Sequence, residues 1–371
     1  YWTGADIIIQ HLGKSLGGMD KLKGKKIALV YHDSPFGKEP IPLLEERAKM
    51  HGFDLQLLPV TAPGVEQKAT WLQVRQSKPD YVLLWGWGVM NSTALKEAQA
   101  TGYPREKMYG VWWAGAEPDV RDVGMGAKGY HALALNGSGK DQKVIQEITK
   151  YVHDKGQGTG PKDEVGSVLY TRGVMIQMLG VEAVRRAQER FGKGKVMTSE
   201  QVRWGLENLN LDQKKLDSMG FGGIMRPVST SCADHMGSSW ARMQTWDGAK
   251  WNIAPDWYQA DEQILKPMVK AAGDKYLADK KMKGMGASVG SCRRAASTCM
   301  PLRPGIMRSH RIRSGSQVCA AASPALPSTA STASCPSKRA KRTRLARMAV
   351  SSSMINMRAM RLLVFLLKGL R

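Results

Sequence analysis

The chain has 371 residues and a formal net charge of +23 at pH 7. Residues 280–371 contain 19 Lys and Arg but neither Asp nor Glu, whereas residues 1–279 balance 36 basic against 32 acidic groups. The whole-chain charge therefore does not identify residues 1–279 as a nucleic-acid-binding protein. No apolar run reaches the roughly 18–20 residues that a membrane-spanning helix needs, which excludes an obvious membrane span.

Residues 1–136 alternate between helical and strand patterns. A helix over 5–16 is followed by the apolar run 26–31, which is typical of a buried parallel strand. The same alternation predicts helices over 38–51, 66–77 and 91–101, and strands over 54–60, 81–85, 107–113 and 129–135. Helices between strands at this spacing predict an α/β fold, with a mostly parallel sheet covered on both faces.

The part over 137–279 is richer in helices. We expect helices over 141–155, 165–191 and 198–209, and strand-like segments over 227–232 and 241–246. The spacing within the second of these helices predicts an inward face made of Val168, Leu169, Met175, Leu179, Val184 and Ala187. The strands are too few for a sheet of their own, so we expect their partners elsewhere in the chain or upstream of Tyr1.

The composition changes again at Lys280. Ser, Ala, Arg and Pro dominate from there on, without the periodicity of a helix or strand. Such a segment cannot bury enough apolar surface to offset chain entropy, so residues 280–371 are predicted to be a disordered basic tail. A nucleic-acid-binding arm is one interpretation. Out-of-frame translation of a GC-rich gene is the other, and it is favoured because no RGG-type repeat is present.

Candidate binding residues follow three of the predicted strands. Ligands of open α/β sheets bind beyond the carboxyl ends of the strands, which here are the segments 31–37, 85–91 and 111–117. These segments contain Ser34, Phe36, Trp85, Trp87, Trp112, Trp113 and Glu117. Aromatic walls with a few polar groups are typical of a small-molecule site. The alternative, that the tryptophans are core residues, stays open because tryptophan is highly buried on average.

Signals for an enzyme are weak. His32 and Asp33 lack a third catalytic partner, so a turn is favoured over an acid–base pair. Gly86 and Gly88 supply two glycines of a dinucleotide-binding motif whose third glycine is missing. No P-loop, HExxH or paired-cysteine metal motif occurs. We therefore expect no catalytic residue, cofactor or metal. An NAD-type oxidoreductase remains an alternative, as does a ligand-sensing or nucleic-acid-binding protein that uses the tail.

The segment 25–38, Lys-Lys-Ile-Ala-Leu-Val-Tyr-His-Asp-Ser-Pro-Phe-Gly-Lys, resembles the start of the second lobe in periplasmic binding proteins of branched-chain amino-acid ABC transporters. The likeness continues in order over residues 1–265, through the segments 78–88, 95–104, 110–117, 129–130, 169–170, 201–207 and 244–248. It implies a type I periplasmic-binding-protein fold. Residues 1–136 would be the Rossmann-like second lobe, and residues 137–279 the hinge crossovers and an incomplete first lobe.

The resemblance also implies a function. Members of this family close two lobes over a small ligand and then dock on a membrane permease. A periplasmic, monomeric, non-enzymatic solute-binding component of an ABC importer is expected, with no nucleic acid as a partner. Its ligand would be a branched-chain or related amino acid, aromatic ones included, or a small organic acid. The ligand-binding residues so implied are Ser34, Phe36, Trp85, Trp87, Trp112, Trp113, Glu117 and Tyr170.

Two departures from the family pattern bear on the ligand. The family's first-lobe residues that hold the ligand's α-carboxylate would precede Tyr1, so this chain is expected to bind poorly. Trp112 and Trp113 stand where the family commonly has an acidic residue for the α-amino group, and Glu117 follows a few positions later. The resemblance therefore leaves room for a bulkier or aromatic acid.

Overall fold

Within residues 1–280, which the computed structural model describes, nine segments form strands. They are β1 (Lys26–His32), β2 (Asp54–Val60), β3 (Tyr81–Trp85), β4 (Met108–Gly110), β5 (His131–Ala134), β6 (Asn210–Leu211), β7 (Val228–Ser229), β8 (Trp240–Trp246) and β9 (Trp251–Gln259). Seven of them form one sheet in the order β2-β1-β3-β4-β5-β8-β9. The first five are parallel, and β8 and β9 extend the sheet in antiparallel fashion.

The two central strands are buried on both sides. Every residue in 27–30 of β1 and in 82–85 of β3 is 0% exposed. Since successive side chains of a strand point to opposite faces of the sheet, continuous burial requires cover on both faces. The predicted α/β fold with a mostly parallel, doubly covered sheet is confirmed.

Eleven α-helices of the described part provide this cover and its connections. They are α1 (Trp2–Ser15), α2 (Pro35–Lys38), α3 (Ile41–His51), α4 (Lys68–Ser77), α5 (Val89–Ala100), α6 (Glu117–Val120), α7 (Lys143–Ile148), α8 (Val168–Phe191), α9 (Ser199–Leu206), α10 (Gln213–Ser218) and α11 (Glu262–Asp279). Helix α1 packs against α3, α4 against α5, and α8 against α9.

The strands of the helix-rich part find their partners in the same sheet. β8 pairs with β5, so that His131 lies opposite Thr245, and β9 forms the edge beyond it. β6 and β7 form a separate two-stranded ladder. Residues 1–280 belong to one compact unit, and the lobe boundary expected after residue 136 stays a prediction. Of the predicted basic tail, residues 281–371 lie outside the described residues.

The strand predicted over 107–113 is shorter than expected. It ends at Gly110, and Trp112–Ala114 form a 3-10 turn instead. Gly110 packs so closely on Tyr130 that a Cβ there would lie 2.0 Å from the phenol oxygen. Val111 still donates to the carbonyl of Leu84 in β3, and the 3-10 turn begins at the next residue, which puts both Trp112 and Trp113 outside the sheet.

The long helix α8 ends at the predicted residue but begins three residues later than predicted, and its buried face is different. Its buried residues are Val168, Thr171, Arg172, Met178, Val181, Glu182, Ala183 and Ala187. The predicted inward face is thus wrong at Leu169, which is 44% exposed, while Met175 and Leu179 line an apolar cavity. A buried arginine and glutamate within this face explain the error, because hydropathy alone assigns charged residues to the solvent side.

Candidate ligand-binding site

Four of the predicted aromatic residues meet around Tyr1. The Tyr1 ring stacks on Trp112 with 5.2 Å between centroids, and it meets the edges of Phe36 at 4.9 Å and Trp85 at 6.5 Å. Its hydroxyl accepts a hydrogen bond of 2.7 Å from Nε1 of Trp113. We call Tyr1, Phe36, Trp85, Trp112 and Trp113 the aromatic cluster. It joins the segment after β1, the end of β3 and the turn after β4, as the strand-end argument predicts.

The members of the aromatic cluster differ in how far their side chains are exposed to solvent. Trp85 is 0% exposed, and its indole N–H is buried without a hydrogen-bond partner, whereas Trp113 is 41% exposed. Trp112 can approach α1 because Gly4 lacks a side chain, since a Cβ there would lie 2.6 Å from the indole ring. Trp85 therefore forms the buried floor of the cluster, and Trp113 lies on the side of the cluster that faces solvent.

The loop after β1 is held by its own side chains. Ser34 caps α2 by accepting from the N–H of Gly37, and its hydroxyl lies 2.9 Å from Nδ1 of His32. A Cβ on Gly37 would lie 1.8 Å from the carbonyl oxygen of His32, so only glycine fits this turn. Ser34 is thus engaged in shaping the loop that presents Phe36. Its predicted ligand contact stays a prediction.

Trp87 lies apart from the cluster. Its side chain is 60% exposed, and its ring meets the edge of His32 at 6.1 Å between centroids. An exposed indole of this kind is available to a ligand or to a facing surface, but it contributes nothing to the buried floor of the site.

Two carboxylates follow the cluster on the short helix α6, and both are engaged. Both oxygens of Glu117 lie 3.1–3.2 Å from the backbone N–H of Val168, which donates to them at the start of α8. Asp119 accepts hydrogen bonds from the Asn91 side-chain amide at 2.8 Å and from the N–H of Ala116 at 2.9 Å. Burial raises the pKa of Glu117, and it raises the pKa of Asp119 to about 6.

A buried arginine connects the cluster to α8. Arg172 is 5% exposed, and its guanidinium lies 5.3 Å from the ring centre of Trp113. It donates to the carbonyl of Trp112 at 3.2 Å and to the side-chain oxygen of Asn136 at 3.1 Å, while its Nη2 is buried without a partner. Burial lowers the pKa of Arg172 from its ordinary value.

Tyr170, the last predicted site residue, makes its contacts elsewhere. Its hydroxyl lies 3.3 Å from Nε2 of His153, and the two rings are 6.3 Å apart. Burial raises the pKa of its phenol. The structure thus brings Phe36, Trp85, Trp112 and Trp113 together, places Trp87 outside their cluster, and ties Tyr170 to His153.

Two cavities of about 660 and 630 Å³ lie away from the aromatic cluster. The first is apolar and is lined by α8, α9 and β8, including Met175, Leu179 and Trp240. The second is polar and has Glu117 and Arg121 in its lining. Neither lining includes a member of the aromatic cluster, so Glu117 faces a cavity that the tryptophans of the cluster do not border.

Three residues of the site were missed by the sequence analysis: Tyr1, Asp119 and Arg172. Asn91 lies within the strand-end segment 85–91, and Asp119 lies two residues beyond the segment 111–117, so strand position could have found Asp119. Arg172 carried no signal, because an arginine within a helix is ordinarily a solvent-facing residue. Tyr1 gave none either, since nothing in a terminal tyrosine predicts a stacking partner more than one hundred residues away.

Comparison with known proteins identifies the family. Residues 9–250 match the family model described as periplasmic binding protein. The chain belongs to the periplasmic binding protein family. A crystal structure named as an ABC transporter permease, from the Pseudomonas fluorescens group, is 38% identical over 76% of this chain and 68% of that chain, with a TM-score of 0.72. No curated protein matches the chain at a significant level.

More distant structures share the fold of this periplasmic binding protein. A branched-chain amino acid ABC transporter from Thermus thermophilus with bound valine is 22% identical over 70% of this chain and 67% of that chain, with a TM-score of 0.57. A leucine-binding protein from Thermotoga maritima is 10% identical over 70% of this chain and 66% of that chain, with a TM-score of 0.53. The predicted type I fold is confirmed.

The family match also decides between the functions that the sequence analysis left open. It confirms the solute-binding component of an ABC transporter, and it does not support the NAD-type oxidoreductase or the nucleic-acid-binding alternative. Proteins of this family are substrate-binding and periplasmic. No helix within residues 1–280 combines the length and apolarity that crossing a bilayer requires.

Proposed function

We propose that this periplasmic binding protein takes up a small organic acid or an amino acid at the aromatic cluster and delivers it to the permease of an ABC importer, without catalysing a reaction. The observation that carries this proposal is the meeting of Phe36, Trp85 and Trp112 around one ring at the carboxyl edge of the sheet. Residues from three loops converge there, as small-molecule sites require.

The mechanism follows from the two-lobed family. A ligand that contacts both lobes only in the closed form shifts the population toward closure, and the closed form is what the permease recognises. The half-buried Trp112 and the exposed Trp113 would supply one wall of the closing cleft. The protein is proposed to act as a periplasmic monomer, with a small molecule and a membrane permease as its partners.

Titration calorimetry on the full chain tests this proposal, at ligand concentrations high enough to detect the weak binding that is expected of it. Valine, leucine, phenylalanine and 3-phenylpropionate form the ligand panel, and tryptophan emission is recorded in parallel because three of the cluster residues are indoles. Trp113→Ala should weaken binding about fivefold, since one aromatic contact contributes about 1 kcal/mol. Trp204→Ala is the control, because this tryptophan packs on Phe191, outside the cluster. Absence of binding to the whole panel would overturn the proposal.

A further inference from the structure

Arg172 is a buried cation without an ionic partner. No carboxylate within residues 1–280 lies within 4.0 Å of its guanidinium, and two of its three nitrogens donate to neutral oxygens, of Asn136 and Trp112. The third, Nη2, is buried and unpaired. Burying a charge is costly unless it is paired and hydrogen-bonded. The unused donor at Nη2 therefore indicates that a bound anion, which residues 1–280 do not supply, completes the hydrogen bonding of this guanidinium.

The nearest acidic residues do not provide this anion. Asp119 is held by Asn91 and by the N–H of Ala116, and Glu117 is held by the N–H of Val168. Both carboxylates interact with Arg172 only at longer range. Asp119 is only 6% exposed, and Glu117 lines the polar cavity away from the aromatic cluster, so neither is available at the cluster to receive a ligand's ammonium group.

The surroundings of the guanidinium define the rest of the ligand. Trp113 lies 5.3 Å from it and is the exposed side of the aromatic cluster, and Tyr1 stacks on Trp112 directly beyond. A planar apolar body would be covered by these rings while its anionic end reaches Nη2 beside the Trp113 indole. Guanidinium groups match carboxylates in shape and charge.

We propose that Arg172 binds the carboxylate of the ligand, and that the site selects an apolar or aromatic monocarboxylic acid over the corresponding amino acid. This inference rests on the proposed function and names its ligand class. An amino acid would bring its ammonium group close to Arg172, where like charges repel, with both nearby carboxylates already engaged.

Three matched ligands test the inference on the full chain. 3-Phenylpropionate has the proposed chemistry, phenylalanine adds an α-ammonium group, and 3-phenylpropanamide replaces the carboxylate by a neutral amide. A hydrogen bond to a charged group corresponds to roughly 10- to 100-fold in affinity. The wild type should therefore bind the acid at least about tenfold more tightly than the amide or the amino acid.

Variants assign the preference to Arg172. In Arg172→Gln the acid-to-amide affinity ratio should fall to about one, and in Arg172→Lys, which keeps the charge but loses the planar fork, it should be intermediate. Arg121→Gln is the matched control, because Arg121 is an exposed arginine paired with Glu164, and it should keep the wild-type ratio. A ratio, unlike an affinity, is not changed by a merely structural loss.

The outcomes separate the two proposals. If the wild type binds the amide or phenylalanine as tightly as the acid, or if Arg172→Gln keeps the wild-type ratio, the inference is overturned while the proposed function stands. If no ligand of either panel binds, both are overturned. If Arg172→Gln does not fold, the three wild-type affinities and the Arg172→Lys ratio still decide the matter.

Discussion

Replacing Asp6 by alanine should destabilise the protein strongly, because it leaves a buried arginine without its main partner. Asp6 on α1 is 0% exposed and Arg47 on α3 is 4% exposed, and two nitrogens of Arg47 donate to one oxygen of Asp6. The other oxygen accepts from the Gln10 side chain and from the N–H of Asp261, each at 2.7 Å. One carboxylate therefore connects α1, α3 and the start of α11.

The expected magnitude follows from what remains after the substitution. Removing one partner of a buried ion pair costs about 3–5 kcal/mol, since the other charge is left uncompensated. Arg47 keeps a second carboxylate, that of Asp261, at 3.5 Å, but that side chain is 35% exposed and compensates only in part. We therefore expect the free energy of unfolding to fall by about 3 kcal/mol, a large share of the 5–15 kcal/mol that is usual for a domain.

Denaturant unfolding of the full chain, followed by tryptophan emission, measures this loss. Asp256→Ala is the control, because Asp256 pairs with Lys14 at the surface, and exposed pairs contribute little to stability. The double variant Asp6→Leu, Arg47→Met should recover part of the loss, since it leaves no buried charge. The reasoning fails if Asp6→Ala costs no more than the control, or if the double variant is less stable than the single one.

Two further predictions concern the loops around the aromatic cluster. Gly37→Ala should lower the free energy of unfolding by about 1–3 kcal/mol and weaken ligand binding, because the added Cβ collides with the carbonyl of His32 and must shift the loop that carries Phe36. The control is Gly173→Ala, on the exposed side of α8 with open space around it, which should be neutral or stabilising. Equal effects of the two substitutions would contradict the argument. Burial raises the pKa of Asp119 to about 6, above the value of about 3.9 usual for aspartate, so its protonation favours the folded state and this contribution is lost as pH rises through 6. Between pH 4 and pH 7 the free energy of unfolding of the wild type should therefore fall by about 2 kcal/mol relative to that of Asp119→Asn. If denaturant unfolding gives parallel pH profiles of stability for the two proteins, Asp119 does not titrate as described.

The central strands were predictable because they are buried and continuous in apolar character. The strand over 81–85 has the predicted bounds, since burial leaves no polar residue to blur its pattern. The edge strand over 54–60 also has the predicted bounds, although only Leu58 and Val60 within it are buried. β9 was not predicted, because Pro255 and its polar neighbours resemble a loop. The structure places it at the sheet edge, where proline is tolerated because no further strand needs its missing N–H.

Long-range packing explains the features of the fold and site that local sequence patterns do not predict. The pairing of β8 with β5 joins segments about one hundred residues apart, and no local pattern encodes that choice. Helix α11 was missed because Pro267 lies inside it and only Leu265 is buried, so its hydrophobic period is weak. The aromatic residues of the candidate site were predictable from strand ends, whereas Arg172 was not, because its burial depends on contacts with two distant loops.

The site combines a rigid part with parts carried by separate helices. Trp85 ends β3, and Phe36 and Trp112 follow β1 and β4; the three strands are neighbours in the sheet, so the relative positions of these residues are fixed by strand pairing. Tyr1 precedes α1 and Arg172 lies on α8, and neither helix belongs to the sheet. A shift of α8 would therefore move the guanidinium without disturbing the three rings. A displaced α8 would then lower the acid-to-amide affinity ratio while the protein still binds the aromatic ligands. Trp113→Ala, by contrast, should weaken the binding of acid and amide alike.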